Sequence, residues 1–143
     1  MPLTDFRCIT RFRVPFCDID MLQHVNNASY IVWAETARCI YFDEVLKEKL
    51  AGTNGVILAR LEFDYEQTLD YREEVAVGCR VSRMGRKSFD FEYEIWSETR
   101  QIRAARGQSA MVAYNYEIKA SIVIPERWRE TVAAYEVIPP AAK

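Results

Sequence analysis

The sequence predicts an α+β fold in which one long apolar helix packs against an antiparallel sheet. The chain has 143 residues, of which 50% are hydrophobic, and this size and composition predict a single domain over residues 1–143 with its own core. Helical and period-two patterns follow one another in the order strand, long helix, then four or so strands. Consecutive strands with hairpin-length connections form antiparallel sheets, and the helix has only that sheet to pack against.

The first element is a half-buried strand. Phe12, Val14 and Phe16 alternate with Arg and Pro residues, which is the period-two pattern of a strand with one buried face. We expect this strand to end near Cys17. Because proline cannot donate a backbone hydrogen bond, Pro15 places the strand at a sheet edge or close to its own end.

The second element is the long helix, predicted over about residues 28–49. Apolar residues recur there at helical spacing and predict a largely buried helix: Tyr30, Trp33, Ala34, Ala37, Tyr41 and Val45. The segment 51–55 then supplies a helix stop and a turn, since its Asn54-Gly55 pair is favoured where the backbone needs a positive φ.

The rest of the chain is mostly strand. Three runs alternate apolar and polar residues: 61–65, 75–81 and 89–95, of which the last is the clearest. Further apolar runs cover 110–118 and 122–124, and residues 125–128 have the early proline of a helical first turn.

Composition excludes several classes of function. Lys+Arg 19 against Asp+Glu 21 gives a net charge of -2, which argues against a nucleic-acid partner. The single histidine, His24, excludes multi-histidine metal centres, and four cysteines without a Cys-x-x-Cys pair are expected to be reduced thiols. Without a signal peptide or about 18 consecutive apolar residues, we expect a cytoplasmic protein with no membrane partner, no metal and no cofactor.

Potentially reactive side chains are concentrated in residues 18–27, just before the helix. Two carboxylates, the imidazole and two carboxamides lie within ten residues, and the helix start adds unpaired backbone N–H donors. A carboxylate or imidazole beside such donors can act as a base or nucleophile while the donors hold an oxyanion. Asp and Asn are also the usual turn and N-cap residues, so loop chemistry without catalysis remains an alternative.

The same segment carries a motif that resembles the signature of hotdog-fold acyl thioesterases, both the 4-hydroxybenzoyl-CoA thioesterase-like class and the acyl-ACP thioesterases: Asp18-x-Asp20-x-x-x-His24-Val25-Asn26-Asn27-x-x-Tyr30-x-x-Trp33-x-Glu35. The string Gly85-Arg86-Lys87-Ser88-Phe89 is similar to the family's strand entry after the helix. The resemblance implies a sheet wrapped around the helix. It also implies a homodimer or homotetramer whose subunits share the active site.

The resemblance also implies roles for individual residues. Asp20 occupies the position of the catalytic carboxylate, acting as nucleophile or general base on a thioester. His24 is expected to orient water or stabilise the intermediate, and the helix start at Asn27 to polarise the thioester oxygen through a backbone N–H. The predicted substrate-binding residues are Asn26, Glu35, Arg86, Lys87 and Ser88.

Each of these assignments has a structural alternative. One of the two asparagines caps the helix, and Glu35 can form an i,i+3 pair with Arg38 instead of reaching a pocket. The basic turn at Arg86 and Lys87 can contact coenzyme A phosphates or be simply solvated. Asp18 is expected to fix the loop rather than to react.

The predicted function is hydrolysis of an acyl-CoA thioester to a free carboxylic acid and CoA. An acyl-ACP thioesterase is the alternative enzyme, but acyl-ACP thioesterases carry Asn where this chain has Leu22. A histidine that part of the family has just before the helix corresponds here to Ala28, so this role is not carried over. A non-catalytic module that binds acyl thioesters is the alternative outside enzymes, because fold alone does not fix activity.

Overall fold

The structure is a computed structural model that describes residues 3–142, which form an antiparallel sheet crossed by one long helix. The strands and helices, in chain order, are β1 (Cys8–Arg13), α1 (Asn27–Ile40), β2 (Gly55–Tyr65), β3 (Glu74–Met84), β4 (Ser88–Ser97), β5 (Ile102–Asn115), β6 (Ala120–Ser121), α2 (Glu126–Tyr135) and β7 (Ala141–Ala142). The main strands lie in the order β1-β3-β4-β5-β2, with β6 on β5 and β7 parallel to β3. The predicted α+β architecture is confirmed.

Helix α1 packs on the inner face of the sheet. Trp33 contacts Phe12 of β1 with ring centroids 4.9 Å apart, and Tyr41, just after α1, contacts Phe91 of β4 at 5.1 Å. The predicted alternation in β4 is confirmed, since four residues of its inner face are fully buried: Phe89, Phe91, Tyr93 and Ile95. Their neighbours face outward and form ion pairs across strands, as Glu92 does with Arg80 at 2.6 Å.

The first strand lies earlier in the chain than predicted. It spans Cys8–Arg13, and Phe16 falls in a single 3-10 turn where its side chain is exposed. The physical reason is Pro15, which has no N–H to continue the ladder after Val14 donates to the Glu73 carbonyl at 2.9 Å. This early end releases the chain into the loop that precedes α1.

The helical segment also ends earlier than predicted. After α1 come one π-helical turn, Tyr41–Leu46, and Lys47 in the left-handed conformation with φ 55°. Lys47 rather than a glycine therefore stops the helix, and within residues 3–142 no glycine has a positive φ. Gly55 is needed for space instead, because a Cβ there would lie 2.4 Å from the Leu50 carbonyl oxygen.

The expectation that the long helix is largely buried holds for only one of its faces. Tyr30, Trp33 and Ala37 are buried, whereas Val32 is 58% exposed and Glu35 is also exposed. The sheet of one chain covers only one side of the helix, so the opposite side stays open to solvent. Across residues 3–142, neither helix has the length and apolarity needed to cross a bilayer.

The outer face of β3 is covered by an N-terminal segment that the sequence patterns do not predict. Leu3 and Phe6 are buried against Ala76 in a small second cluster, and a Cβ on Gly78 would lie 2.7 Å from the Phe6 ring. The first half of β3, residues 75–79, is therefore buried on both faces, which explains its continuous run of apolar and small residues.

Gly107 allows two aromatic rings to stack across the sheet, and we expect Gly107→Ala to destabilise the fold. In the register it lies between Phe63 of β2 and Tyr93 of β4, whose rings stack with centroids 5.8 Å apart. A Cβ would lie 2.6 Å from the Glu62 carbonyl oxygen and 2.7 Å from the Phe63 ring. Overpacking of this kind should lower the free energy of unfolding by about 1–3 kcal/mol in urea titrations.

Gly52→Ala is the matched control for this prediction. A Cβ at Gly52 would meet its nearest atom at 3.6 Å, an ordinary contact. The control should leave the urea midpoint nearly unchanged. Equal midpoints for the two variants would contradict the packing argument.

Candidate active site

The loop between β1 and α1 forms a tight turn that brings Asp20 and His24 together in the backbone. Ile19 and Val25 form an isolated antiparallel bridge, and the N–H of Asp20 donates to the His24 carbonyl at 3.2 Å. Gln23 closes the turn at φ 69°, and its N–H donates to the Asp20 carbonyl at 2.9 Å. The motif residues therefore lie on a turn fixed by its own backbone hydrogen bonds.

The Asp20 carboxylate is held by two hydrogen bonds from within the loop. Oδ1 accepts from the Leu22 N–H at 2.8 Å, and Oδ2 accepts from Nδ2 of Asn26 at 2.9 Å. The first contact is the turn-forming role expected of an aspartate in a loop. Each carboxylate oxygen keeps a further lone pair, so the contacts orient the group without using its full capacity to accept protons.

Asn26 links this carboxylate to the start of α1. Its Oδ1 accepts from the Ala28 N–H at 2.8 Å, the usual N-cap contact, while its Nδ2 donates to Asp20. Of the two asparagines, Asn26 is therefore the helix cap. One amide side chain fixes Asp20 relative to the positive end of the helix.

We expect Asn26→Ala to lower the free energy of unfolding by about 1 kcal/mol, the typical cost of losing an N-cap. Asn26→Asp is the matched variant, because its carboxylate still accepts from the Ala28 N–H but cannot donate to Asp20. Urea unfolding, which needs no substrate, should place the midpoint of Asn26→Ala below that of the wild type. An unchanged midpoint for Asn26→Ala would contradict the capping role.

The first turn of α1 offers one open backbone donor. Asn27 is exposed, and its N–H has no hydrogen-bond partner among residues 3–142. The next backbone donor, the Ala28 N–H, is occupied by Asn26 Oδ1. The carbonyl of Asn27 accepts from Tyr65 Oη at 2.9 Å, which holds the end of β2 beside the helix start.

Asp18 anchors the loop to the helix. Its Oδ1 accepts from Ser29 Oγ and its Oδ2 from Trp33 Nε1, both at 3.0 Å. Both donors are on buried positions of α1. With both oxygens bound to helix side chains, Asp18 fixes the geometry that presents Asp20.

His24 has a partner that sequence reasoning missed. Its Nδ1 lies 2.8 Å from Oδ1 of Asp70, and both side chains are about half exposed. Asp70 follows 46 residues later, in the loop between β2 and β3. No local periodicity or motif marks that loop, and only the fold brings it against the turn, where the Val25 N–H donates to the Leu69 carbonyl at 2.9 Å.

A cleft of about 240 Å³ opens beside the start of α1. Tyr30 and Tyr65 form aromatic walls with their rings edge to face at 5.1 Å. Burial raises the pKa of Tyr30 to about 12, and its hydroxyl donates to the Gln67 carbonyl at 3.5 Å. The cleft is lined by Val25, Asn27, Tyr30, Tyr65, Glu66, Gln67 and Thr68.

A larger depression of about 300 Å³ lies on the sheet among charged residues of β2, β4 and β5. Its lining includes Asp64, Arg103 and Arg106, and none of the predicted site residues. Arg103 and Arg106 are paired with nearby carboxylates. The smaller cleft beside Asn27 is therefore the better candidate for a substrate.

The remaining predicted binding residues lie apart from the turn. Glu35 follows Asn27 by about 12 Å along the axis of α1, and its exposed carboxylate lies 3.9 Å from Nη2 of Arg38. Arg86 and Lys87 lie in the turn between β3 and β4, and Ser88 begins β4. This turn follows the end of β3 remote from Glu74, and β3 is about 33 Å long. The structure therefore does not bring this basic turn to Asp20 within one chain.

Comparison with known families now identifies the chain's relatives. Residues 14–132 match the sequence profile of the thioesterase-like superfamily. This chain belongs to the thioesterase-like superfamily. The matched region begins just before the Asp20 turn and ends within α2, so the superfamily match includes the whole candidate site.

Solved structures give the same fold. A thioesterase from Thermus thermophilus, crystallised with coenzyme A and zinc, is 33% identical, with 95% of this chain and 99% of that one covered and a TM-score of 0.80. A protein from Pseudomonas aeruginosa is 22% identical, with 96% and 95% covered and a TM-score of 0.84. A 1,4-dihydroxy-2-naphthoyl-CoA thioesterase from Synechocystis is 16% identical, with 87% and 93% covered and a TM-score of 0.77. The latter two support the hotdog fold alone, and no curated protein sequence matches the chain.

Proposed function

We propose that this protein is an acyl-CoA thioesterase that hydrolyses an acyl-CoA thioester to a free carboxylic acid and CoA. The observation that carries the proposal is the Asp20 carboxylate, tied by Asn26 to the start of α1 in a chain of the thioesterase-like superfamily. The 33% identical relative crystallised with coenzyme A supports CoA as the carrier.

Asp20 is the principal catalytic group in this proposal. Its carboxylate either attacks the thioester carbonyl carbon, giving an acyl anhydride that water then hydrolyses, or takes a proton from a water molecule that attacks directly. In both routes the C–S bond breaks and CoA leaves as the thiol after gaining a proton. The donors Leu22 N–H and Asn26 Nδ2 hold the carboxylate ready for either step.

The start of α1 stabilises the developing negative charge. The unpartnered N–H of Asn27 lies at the positive end of the helix dipole, where a thioester oxygen gains a hydrogen bond as it becomes an oxyanion. The acyl group occupies the adjacent cleft between Tyr30 and Tyr65. Its reacting carbon then lies near both the helix start and the Asp20 turn.

The functional unit in this proposal is a homodimer or a tetramer of such dimers. Strand β2 is an eleven-residue edge strand with exposed Ile57 and Leu58, and a long apolar edge is a site for pairing with another chain. A second subunit is also the means by which the remote basic turn of Arg86, Lys87 and Ser88 can meet a CoA bound near Asp20. Glu35, on the exposed side of α1, would likewise face the partner.

Measuring the oligomeric state under assay conditions tests whether two subunits share the active site. Light scattering during steady-state turnover should find a dimer or tetramer as the active species. A fully active monomer would contradict the requirement for a second subunit, while leaving the thioesterase proposal in place.

A thiol-release assay with short, long and aromatic acyl-CoAs tests the function itself. The proposal requires free CoA and free acid in equal amounts for at least one acyl-CoA. Turnover of acyl-ACP substrates alone would favour the acyl-ACP thioesterase, and tight binding without turnover would favour the non-catalytic binding module. Because Asp20 is retained and oriented, we expect turnover.

A further inference from the structure

The loop between β2 and β3, residues 66–73, forms one wall of the Asp20 turn. Two contacts join the segments: the Val25 N–H donates to the Leu69 carbonyl at 2.9 Å, and Nδ1 of His24 lies 2.8 Å from Asp70 Oδ1. The imidazole is thus held by a carboxylate from a distant part of the chain. Within residues 3–142, Nε2 of His24 has no protein partner, and the half-exposed ring leaves it accessible to water.

The loop that carries Asp70 is itself fixed by an ion pair between the buried Glu73 and the exposed Arg100. Glu73 is 8% exposed, and its Oε1 lies 2.9 Å from Nε of Arg100. Arg100 also donates to the Thr68 carbonyl. Backbone hydrogen bonds of 2.9 and 3.1 Å then join Val14 to Glu73 and Arg72. Asp70 is therefore presented to His24 by a loop tied to both β1 and the β4–β5 turn.

A carboxylate beside Nδ1 determines which nitrogen of a neutral imidazole carries the proton. An ionised carboxylate only accepts hydrogen bonds, so Nδ1 must be the donor and Nε2 keeps its lone pair. A neutral ring in this tautomer can accept a hydrogen bond from water at Nε2. It cannot donate from Nε2 to an oxyanion, so the geometry distinguishes between two roles that the motif leaves open for His24.

We propose that Asp70 is a positioning residue that holds His24 in the Nδ1–H tautomer and thereby makes Nε2 the acceptor that orients the hydrolytic water. The inference rests on the proposed thioesterase function and assigns within it a residue outside the family motif. Water is needed in both routes open to Asp20, either as the direct attacker or to hydrolyse the anhydride. In the direct route its oxygen bonds to the thioester carbon as one proton goes to the Asp20 carboxylate. In the anhydride route its oxygen bonds to the acyl carbon, the acyl–oxygen bond to Asp20 breaks, and the released carboxylate takes the proton. In both routes the other O–H points to Nε2.

The tautomer can be measured directly because the chain contains one histidine. In a two-bond ¹⁵N–¹H correlation spectrum of the ¹⁵N-labelled full chain at neutral pH, we expect a protonated Nδ1 and an unprotonated Nε2. A ring protonated at Nε2 alone, or at both nitrogens, would overturn the proposal. This wild-type spectrum needs no variant and no substrate, so it remains informative if the thioesterase proposal fails.

Two Asp70 variants connect the tautomer to turnover. Asp70→Ala removes the hydrogen-bond acceptor and should move the imidazole proton to Nε2. It should also lower kcat by about tenfold to a hundredfold, with KM little changed. This loss is smaller than or comparable to that expected for removing a general base. Asp70→Asn keeps a carbonyl oxygen that accepts from Nδ1–H. Compared with Asp70→Ala, it should restore much of the Nδ1–H tautomer and much of kcat. Asp5→Ala removes an exposed carboxylate from the N-terminal turn, remote from the Asp20 turn in the sequence, and serves as the matched control.

These measurements distinguish failure of the positioning role of Asp70 from failure of the proposed thioesterase function. If Asp70→Ala changes neither the tautomer nor kcat, or changes kcat while the tautomer stays at Nδ1–H, the positioning role is wrong. If no variant and no wild-type preparation releases thiol from any acyl-CoA, the proposed function fails, and the wild-type spectrum still decides the tautomer. A shift of the tautomer with loss of kcat and rescue by Asp70→Asn supports the proposal.

Discussion

Asp20→Asn is expected to lower kcat/KM for the best acyl-CoA substrate by about 10² to 10⁴, the range for loss of a general base. The amide has almost the shape of the carboxylate, and its oxygen can still accept from the Leu22 N–H. It can neither attack a carbonyl nor take a proton at neutral pH. The loss should therefore be in catalysis, with an unchanged fold by circular dichroism.

Two comparisons keep this prediction specific. Asp5→Asn makes the same chemical change at an exposed carboxylate of the N-terminal turn and should retain full activity. His24→Ala should cost less than Asp20→Asn. If Asp20→Asn left turnover intact while His24→Ala abolished it, the principal catalytic group would be His24 and the assignment here would be wrong.

Trp128→Ala should produce the largest loss of stability among single substitutions in α2. Trp128 is fully buried, with its ring centroid 5.5 Å from that of Phe42 and 6.1 Å from that of Phe89. Its removal leaves a cavity between α2, the π-helical turn after α1 and β4. We expect the free energy of unfolding to fall by about 3–5 kcal/mol in urea titrations.

Trp128→Phe is the matched control for this effect. Nε1 of Trp128 is buried and has no hydrogen-bond partner among the described residues, so Phe gives up no hydrogen bond and keeps most of the apolar contact. Its loss should be well below that of Trp128→Ala. Trp128 lies in α2 and contacts the turn that follows α1, whereas Asp20 precedes the start of α1. An Ala variant that still folds should therefore keep its kcat. A midpoint equal to wild type for Trp128→Ala would mean that α2 is not docked as described.

The fold follows from local patterns where one face of an element is buried. The alternation around Phe91 and the helical spacing around Trp33 both predict elements that the structure contains. The element ends depend on individual residues that interrupt a pattern. Pro15 ends β1 before the apolar alternation ends, and Lys47 adopts a left-handed conformation more typical of glycine.

Features that depend on tertiary contacts escaped prediction. Leu3 and Phe6 cover the outer face of β3. Their segment is irregular, so it has no periodicity from which this contact could be predicted. The exposed side of α1, with Val32, reflects how much of the helix one sheet can enclose. Local sequence determines which face of an element is apolar, but not which part of the chain covers that face.

The candidate site likewise has one part that local sequence predicts and another that depends on tertiary contacts. Asp20, His24 and Asn26 lie within seven residues, so spacing alone indicates a shared turn. Asp70 is brought to His24 by the path of β2 across the sheet, which no motif encodes. Conversely, Arg86 follows β3 by two residues, and the length and direction of that strand carry it away from Asp20.

The most direct test of the central claim is a reaction in H₂¹⁸O with the wild-type protein and the acyl-CoA that it turns over fastest. Mass spectrometry should find CoA and free acid in equal amounts, with one ¹⁸O in the acid at multiple turnover. The same reaction with Asp20→Asn should give almost no product. Recovery of intact acyl-CoA from the wild-type protein, or equal product from both proteins, would contradict the account of Asp20-driven thioester hydrolysis.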